Sequence, residues 1–206
     1  MGVNASAEQA EALAAFQELL KERAVPLGMI GRADASRLKD RHIVDCARAA
    51  PIYGPRDRRS YDLGSGAGLP GIVLAVLVPW CSFVLIEARS RRAAFLELAV
   101  ERLGLPNATV MPGRVEDLPE PADVITARAF APLDRTWRLA RPLLSPGGRL
   151  VYFAGAGLDD PGRAASAAMR RWGTGTVEVR EVLERRPPLV IMGSGDDPRP
   201  DAAPRG

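Results

Sequence analysis

The chain has 206 residues, 28 of them basic and 25 acidic, with a formal net charge of +3 and a sequence pI of about 9.2. That length holds one well-buried domain with an attached element rather than two full domains, and 47% hydrophobic against 26% charged residues excludes a chain disordered over most of its length. The basic excess is almost wholly arginine, Lys21 and Lys39 being the only lysines, which points mildly to an anionic partner and equally fits an arginine-rich proteome.

In chain order, residues 8–24 place Leu13, Phe16 and Leu20 at helical spacing, and their alanine and glutamate content supports a helix. A second helix is expected over 36–49, capped by Asp34 or Ser36. These two form an N-terminal helical extension, 1–55, and the turn YGPRDRR separates it from a main domain, 56–192. SYDLG then reads as a strand, PGIVLAVLV as a helix entered through Pro70 at its first turn, and SFVLIE as a strand ending on Glu87. SRRAAFLELAVERLGL is a helix that stops at Gly104, while NATVMP, ADVITA and GRLVYF are further strands. Strands alternating with helices imply an α/β fold with a doubly wound, mostly parallel sheet. The tail, 193–206, is glycine, proline and charge and reads as disordered.

Cys46 and Cys81 stand at no metal-ligand spacing and His42 is the single histidine, so no metal site is expected and both cysteines read as buried thiols. The longest apolar run, GIVLAVLVPW, is far shorter than the ~20 residues of a membrane span, and no apolar signal region opens the sequence. A cytoplasmic location is the expectation.

In a doubly wound sheet the ligand lies beyond the carboxyl ends of the strands, so the residues just after each strand carry the question of function. After the first comes DLGSGAGLPG, and it reads two ways. Gly66, Gly68 and Gly71 spell the dinucleotide fingerprint, with Glu87 about 20 residues on. Asp62, Gly64, Gly66 and Gly68 spell the acid-glycine pattern of folds that hold S-adenosylmethionine. A dinucleotide aims its pyrophosphate at a helix N-terminus, whereas S-adenosylmethionine carries a cationic sulfonium and amine, which makes Asp62 more useful to the methyl donor, holding either the turn or a cationic group. Glu87 suits the ribose hydroxyls of either ligand. After the third strand Val115 and Glu116 stand where a backbone amide and a carboxylate can read an adenine edge, and after the fourth Arg128 sits at the strand end, against the alternative of a surface ion pair. RPLLSPGGRLVYF, read as a helix, a proline-glycine turn and a strand, looks like the late segment of Rossmann-like methyltransferases. The single histidine lies outside the sheet region and no lysine follows a tyrosine usefully, so hydride chemistry lacks its acid. A methyltransferase is preferred over a dehydrogenase.

With DRHIVDCA, DLGSGAGLPGIVLA, RVEDLP and ARAFAPL in view, the chain resembles the bacterial 16S ribosomal RNA guanine-N7 methyltransferases, also called glucose-inhibited division protein B. The resemblance runs from about Gly28 to Gly155. It implies a seven-stranded Rossmann-like class I methyltransferase fold, S-adenosylmethionine as donor, and a guanine in the decoding region of 16S rRNA, naked or in the small subunit, as acceptor. A monomer is the separate expectation for the chain. Carried over by residue, Gly64 and Leu69 line the donor pocket, Val115 and Glu116 meet its adenine end, Arg128 sits beside the reacting groups, and Arg41, His42 and Asp45 belong to a segment near the active face, with Arg128 and His42 the expected catalytic residues. His42 also has a bland reading as a helix-surface or capping residue. Two departures stand out: Gly28 where the family has asparagine, and Ala154 before Gly155 where it has lysine, with Arg32 or Arg163 as replacement cations. Guanine N7 carries an in-plane lone pair, so its methylation needs alignment rather than a general base, which suits a chain without a histidine, cysteine or lysine cluster. Arg23, Arg32, Arg37, Arg41, Arg56, Arg58 and Arg59 could grip phosphates or simply form a solvated surface. The other functions in view are methylation of another RNA or a small molecule, and non-catalytic RNA binding.

Overall fold

A computed structural model describes residues 4–115, 120–173, 175–182 and 186–194. Seven strands form one sheet: β1 (Arg59–Leu63), β2 (Ser82–Glu87), β3 (Ala108–Pro112), β4 (Ala122–Arg128), β5 (Leu144–Phe153), β6 (Thr176–Arg180) and β7 (Leu189–Gly193). Their order is β3-β2-β1-β4-β5-β7-β6. β1 to β5 pair in parallel, while β7 runs antiparallel to both β5 and β6. β1 and β4 are buried nearly throughout instead of alternating, because helices cover both faces of the sheet. The chain winds one way from β1 through β2 to β3 and then returns to the other side at β4, so a crevice opens at the carboxyl ends of β1 and β4.

On one face α1 (Ala7–Leu19), α3 (Gly71–Leu77) and α4 (Ser90–Leu103) enclose a core containing Phe16, Leu20, Leu74, Phe83 and Leu96. On the other, α5 (Leu133–Ala140) and α6 (Pro161–Trp172) pack Trp137 and Met169 over Ile125 and Leu150. The N-terminal extension makes no separate core: Phe16, Ile43 and Cys46 share one cluster with Ile72 and Phe83. α1 starts with a capping box between Ser6 and Gln9, satisfying two otherwise orphaned donors, and the Gln9 amide also donates to the Val76 carbonyl at 3.0 Å. It then widens into a π-helical turn, Leu20–Ala24. α4 stops where expected, with Gly104 at φ +57°, a left-handed position that glycine occupies without a Cβ penalty.

The second helix departs from the sequence expectation. Instead of one capped α-helix over 36–49, the chain makes a 3-10 turn (Arg32–Arg37), a π-helical stretch (Lys39–Val44) and one short α-helical turn, α2 (Asp45–Ala47). Neither Asp34 nor Ser36 caps it. Asp34 lies inside the 3-10 turn, where its carboxylate pairs with Arg41 at 3.1 Å. Pro70 is likewise the cap before α3 rather than its first residue. The proline-glycine turn before GRLVYF lies within β5: Leu144 pairs with Ala122 and Arg149 with Val124, so the intervening residues bulge. Gly193, assigned above to the tail, ends β7, and residues 195–206 lie outside the described residues. Cys46 and Cys81 are free and buried, their thiols pushed up to about 12 by burial.

Candidate active site

The loop after β1 is built by backbone that only glycine tolerates. Gly68 has φ +82°, and a Cβ there would stand 2.6 Å from Ile72 Cγ1; at Gly64, φ +67°, it would meet Phe130 Cδ2 at 2.7 Å. Asp62 fastens this loop to the helix that follows. It is fully buried, accepts the Gly71 N–H at 3.0 Å on Oδ2 and the Thr126 hydroxyl at 2.8 Å on Oδ1, and lies on the wall of neither cavity described below. Of the two roles open to it from sequence, the geometry is that of holding the turn.

Burial pushes the Asp62 carboxyl up to about 6, against hydrogen bonds from Thr126, Ser65 and Gly71 that favour the anion. A carboxyl raised on folding stabilises the native state at low pH, and that contribution is lost as pH rises through about 4 to 6. Asp62→Asn is therefore expected to remove a fall of up to roughly 3 kcal/mol from the pH dependence of stability. Its amide oxygen still accepts from Gly71, and its NH2 donates to Thr126, whose hydroxyl turns to the Tyr61 carbonyl 3.4 Å away. Urea unfolding of both proteins from pH 4 to 8 checks this, and a variant as pH-dependent as the parent over that window removes Asp62 as the cause. His42, whose pKa is lowered chiefly by burial, contributes the opposite slope below pH 6.5 in both proteins, so it cancels in their difference.

Glu87, at the end of β2, accepts the Gly66 N–H at 3.1 Å on Oε2 and the Arg89 N–H at 2.9 Å on Oε1. Each carboxylate oxygen keeps a lone pair for a further donor. Glu87 and Val115 line a cavity of about 430 Å³ together with Gly64, Arg92, Phe130 and Arg135. Glu116 lies outside the described residues. A larger cavity of about 680 Å³ is lined by Gly64, Gly66, Leu69, His42, Asp45 and Arg128, among others. The two share Gly64, Arg92 and Ala129, so one cleft runs over the carboxyl ends of β2, β1 and β4. Ala129 has φ +52°, a left-handed conformation costly for a residue with a Cβ and of a kind concentrated at ligand sites.

Arg128 is no surface ion pair. Its Nε donates to Asp45 Oδ2 at 3.2 Å, and its Nη2 donates to His42 Nδ1 at 3.0 Å and to the Arg41 carbonyl at 3.5 Å. A guanidinium cannot accept, so His42 is neutral with its proton on Nε2, which points toward Asp34 Oδ2 at 3.6 Å. Burial and the Arg128 charge both lower the His42 pKa and keep the ring in that form. His42 is 9% exposed, with Nδ1 held by Arg128 and Nε2 buried without a hydrogen-bond partner among the described residues, so it is neither a helix-surface nor a capping residue.

The seven arginines read from the N-terminal third divide. Arg41 lines the large cavity, Arg32 and Arg37 occupy the adjoining 3-10 turn, and Arg23 lies in the π-helical turn after α1, on the wall of neither cavity. Arg56, Arg58 and Arg59 stand at the start of β1, the end of the sheet away from the cleft, where Arg59 pairs with Glu120. Ala154 and Gly155 do line the large cavity, whose cations are Arg41, Arg48, Arg92, Arg128 and Arg186 rather than Arg32 or Arg163. Arg48, Ala129, Phe130 and Arg186 were missed from sequence. Arg48 carried a usable signal, because His42, Asp45 and Arg48 recur every three residues and so share one helical face.

The sheet order, the glycine loop and the cleft at the switch point define a class I, Rossmann-like methyltransferase fold. Among solved structures, the chain is similar to M. jannaschii TYW2 in complex with AdoMet (TM-score 0.57, 16% identity, 74% of each chain) and to PigF with SAH (TM-score 0.58, 20% identity, 87% of this chain and 58% of that one). The chain belongs to the GidB family, described as rRNA small subunit methyltransferase G, whose model matches residues 9–189. Its relatives include the ribosomal RNA small subunit methyltransferase G of Salinispora arenicola, 41% identical over 209 residues (93% of this chain, 85% of the relative). That of Nocardioides sp. is 39% identical over 199 residues, covering 92% and 79%. No helix among the described residues is long and apolar enough to cross a membrane, and among them no cluster of three metal-ligating side chains occurs.

Proposed function

We propose that this protein transfers a methyl group from S-adenosylmethionine to N7 of a guanine in 16S rRNA, acting on the small ribosomal subunit or its RNA in the cytoplasm. The observation that carries the reading is the single cleft formed by the two cavities, with Glu87 on its β2 side and Arg128 at the end of β4. The donor fits that cleft. Glu87, already oriented by two backbone amides, would accept ribose hydroxyls; Val115, on the wall of the same cavity, would meet the adenine; Gly64 and Gly66 let backbone approach, and Leu69 lines the larger cavity. Nη1 of Arg128 has no hydrogen-bond partner among the described residues and suits the donor's carboxylate. When bound, the donor supplies an electrophilic methyl on a cationic sulfur. Asp62 acts one step back, by holding the glycine loop through Gly71.

The rest of the large cavity takes the acceptor base. Guanine N7 is nucleophilic in the neutral base, so the residues here orient rather than deprotonate, and neutral His42, committed to Arg128, need not act as a base. Cations at this cavity, Arg41 and Arg186 among them, suit the phosphates of an RNA strand that presents the base outside a duplex, whose deep narrow groove would hide N7. A monomer suffices, since one chain lines both cavities.

Labelled donor incubated with small subunits and with naked 16S RNA, both from cells lacking their own enzyme, tests this. N7-methylguanine at one position by mass spectrometry is the expected result. Donor binding without labelled RNA would turn the reading to another acceptor or to an RNA-binding relative.

A further inference from the structure

One carboxylate in the cleft touches two arginines. Asp45, 8% exposed, accepts the Arg128 Nε–H at 3.2 Å on Oδ2 and forms an ion pair with Arg48, whose Nε lies 3.1 Å from Oδ1. Arg48 is itself buried and cannot swing. It donates to the Asp45 and Pro187 carbonyls, and its guanidinium lies 5.3 Å from the Phe153 ring centre. Asp45 is thus anchored from behind, and a buried anion shared by two cations keeps its charge compensated. From the other side His42 accepts from Arg128 Nη2. The groups facing His42 are Asp34 and Arg41 of the preceding turns, Asp45 of α2 and Arg128 of β4. With Nε and Nη2 both held, the guanidinium plane is fixed and Nη1 is the nitrogen left for a ligand.

We propose that Asp45 and His42 are positioning residues, aiming Nη1 of Arg128 at the carboxylate of the methyl donor, with Arg48 as the anchor of Asp45. This rests on the reading of Arg128 as the carboxylate-binding residue. It assigns His42 a role through Arg128 rather than on the reacting atoms. A guanidinium on a long side chain, released from these two acceptors, would spread over several rotamers and make the same ligand contact only part of the time.

Two compounds isolate the effect. S-adenosylhomocysteine carries the amino-acid carboxylate, and methylthioadenosine keeps the adenosine and thioether without it. Calorimetric titration of both into the full chain is the measurement. Asp45→Asn is expected to weaken S-adenosylhomocysteine roughly tenfold while leaving methylthioadenosine within about twofold, because one charge-assisted contact is at stake. His42→Leu should do the same without touching Asp45, whereas His42→Gln, which restores an acceptor oxygen, should recover most of the loss. Equal loss of both compounds in the Asp45 and Leu variants would mean general damage to the site and overturn the proposal. So would unchanged binding of both compounds in a background where Arg128→Ala selectively loses S-adenosylhomocysteine. If Arg128→Ala itself shows no selective loss, the carboxylate reading of Arg128 fails first, and the two failures stay distinct.

Discussion

Arg128→Ala is expected to lower kcat/KM for methyl transfer to small subunits by roughly a hundredfold, with the larger part in the KM for the donor. Arg128 is the one residue that lines the large cavity from the end of β4 while being held by α2 and by the π-helical stretch before it. Its removal deletes the contact to the donor carboxylate and leaves Asp45 with Arg48 alone. Arg128→Lys should recover little, since an ammonium cannot span Asp45, His42 and a ligand with a fixed fork. Steady-state kinetics with the donor and the subunit varied in turn provide the check. A variant whose donor KM is unchanged would place Arg128 on the RNA instead.

Gly71→Ala is expected to destabilise the protein by about 3 kcal/mol and to abolish measurable donor binding. Gly71 needs no unusual φ; it needs the absence of a side chain. A Cβ there would run into Leu85 and stand 2.6 Å from Asp62 Oδ2, the oxygen that accepts the Gly71 N–H. The added methyl therefore overpacks the sheet and pushes aside the carboxylate that holds the glycine loop. Gly157→Ala is the control, because a Cβ at Gly157 meets nothing within 4 Å, and its stability should stay within about 0.5 kcal/mol. Thermal unfolding with and without S-adenosylhomocysteine separates the two. A stable, ligand-binding Gly71→Ala protein would show that the loop tolerates displacement of Asp62.

β1 to β5, α3 and α4 were legible because each carries a local pattern that burial on two sides does not disturb. SYDLG, SFVLIE and ADVITA are short segments bounded by turn signals, the last two rich in valine and isoleucine, and α4 ends on a glycine free to take the left-handed conformation. β6 was harder. Its burial is broken and exposed, since it is the outer edge of the sheet and pairs only with β7. The stretch over 32–47 misled for a different reason. Its composition is that of an ordinary helix, yet the chain alternates 3-10, π and α turns so that Asp34, His42 and Asp45 all reach Arg128 or its partners.

Local pattern was enough to name the ligand class and the backbone that could approach it. The glycines at 64, 66 and 68, the carboxylate at the end of β2 and the arginine at the end of β4 are chemistry that residue type and spacing already carry. What those side chains do depends on contacts between segments far apart in the chain. Asp62 turned inward to hold Gly71, and His42 came within 3.0 Å of an arginine 86 residues away. Asp45 became the link between Arg128 and the buried Arg48. The physical reason is that local sequence sets backbone conformation over a few residues, whereas burial, charge pairing and the free nitrogen of a guanidinium depend on what distant segments bring into contact.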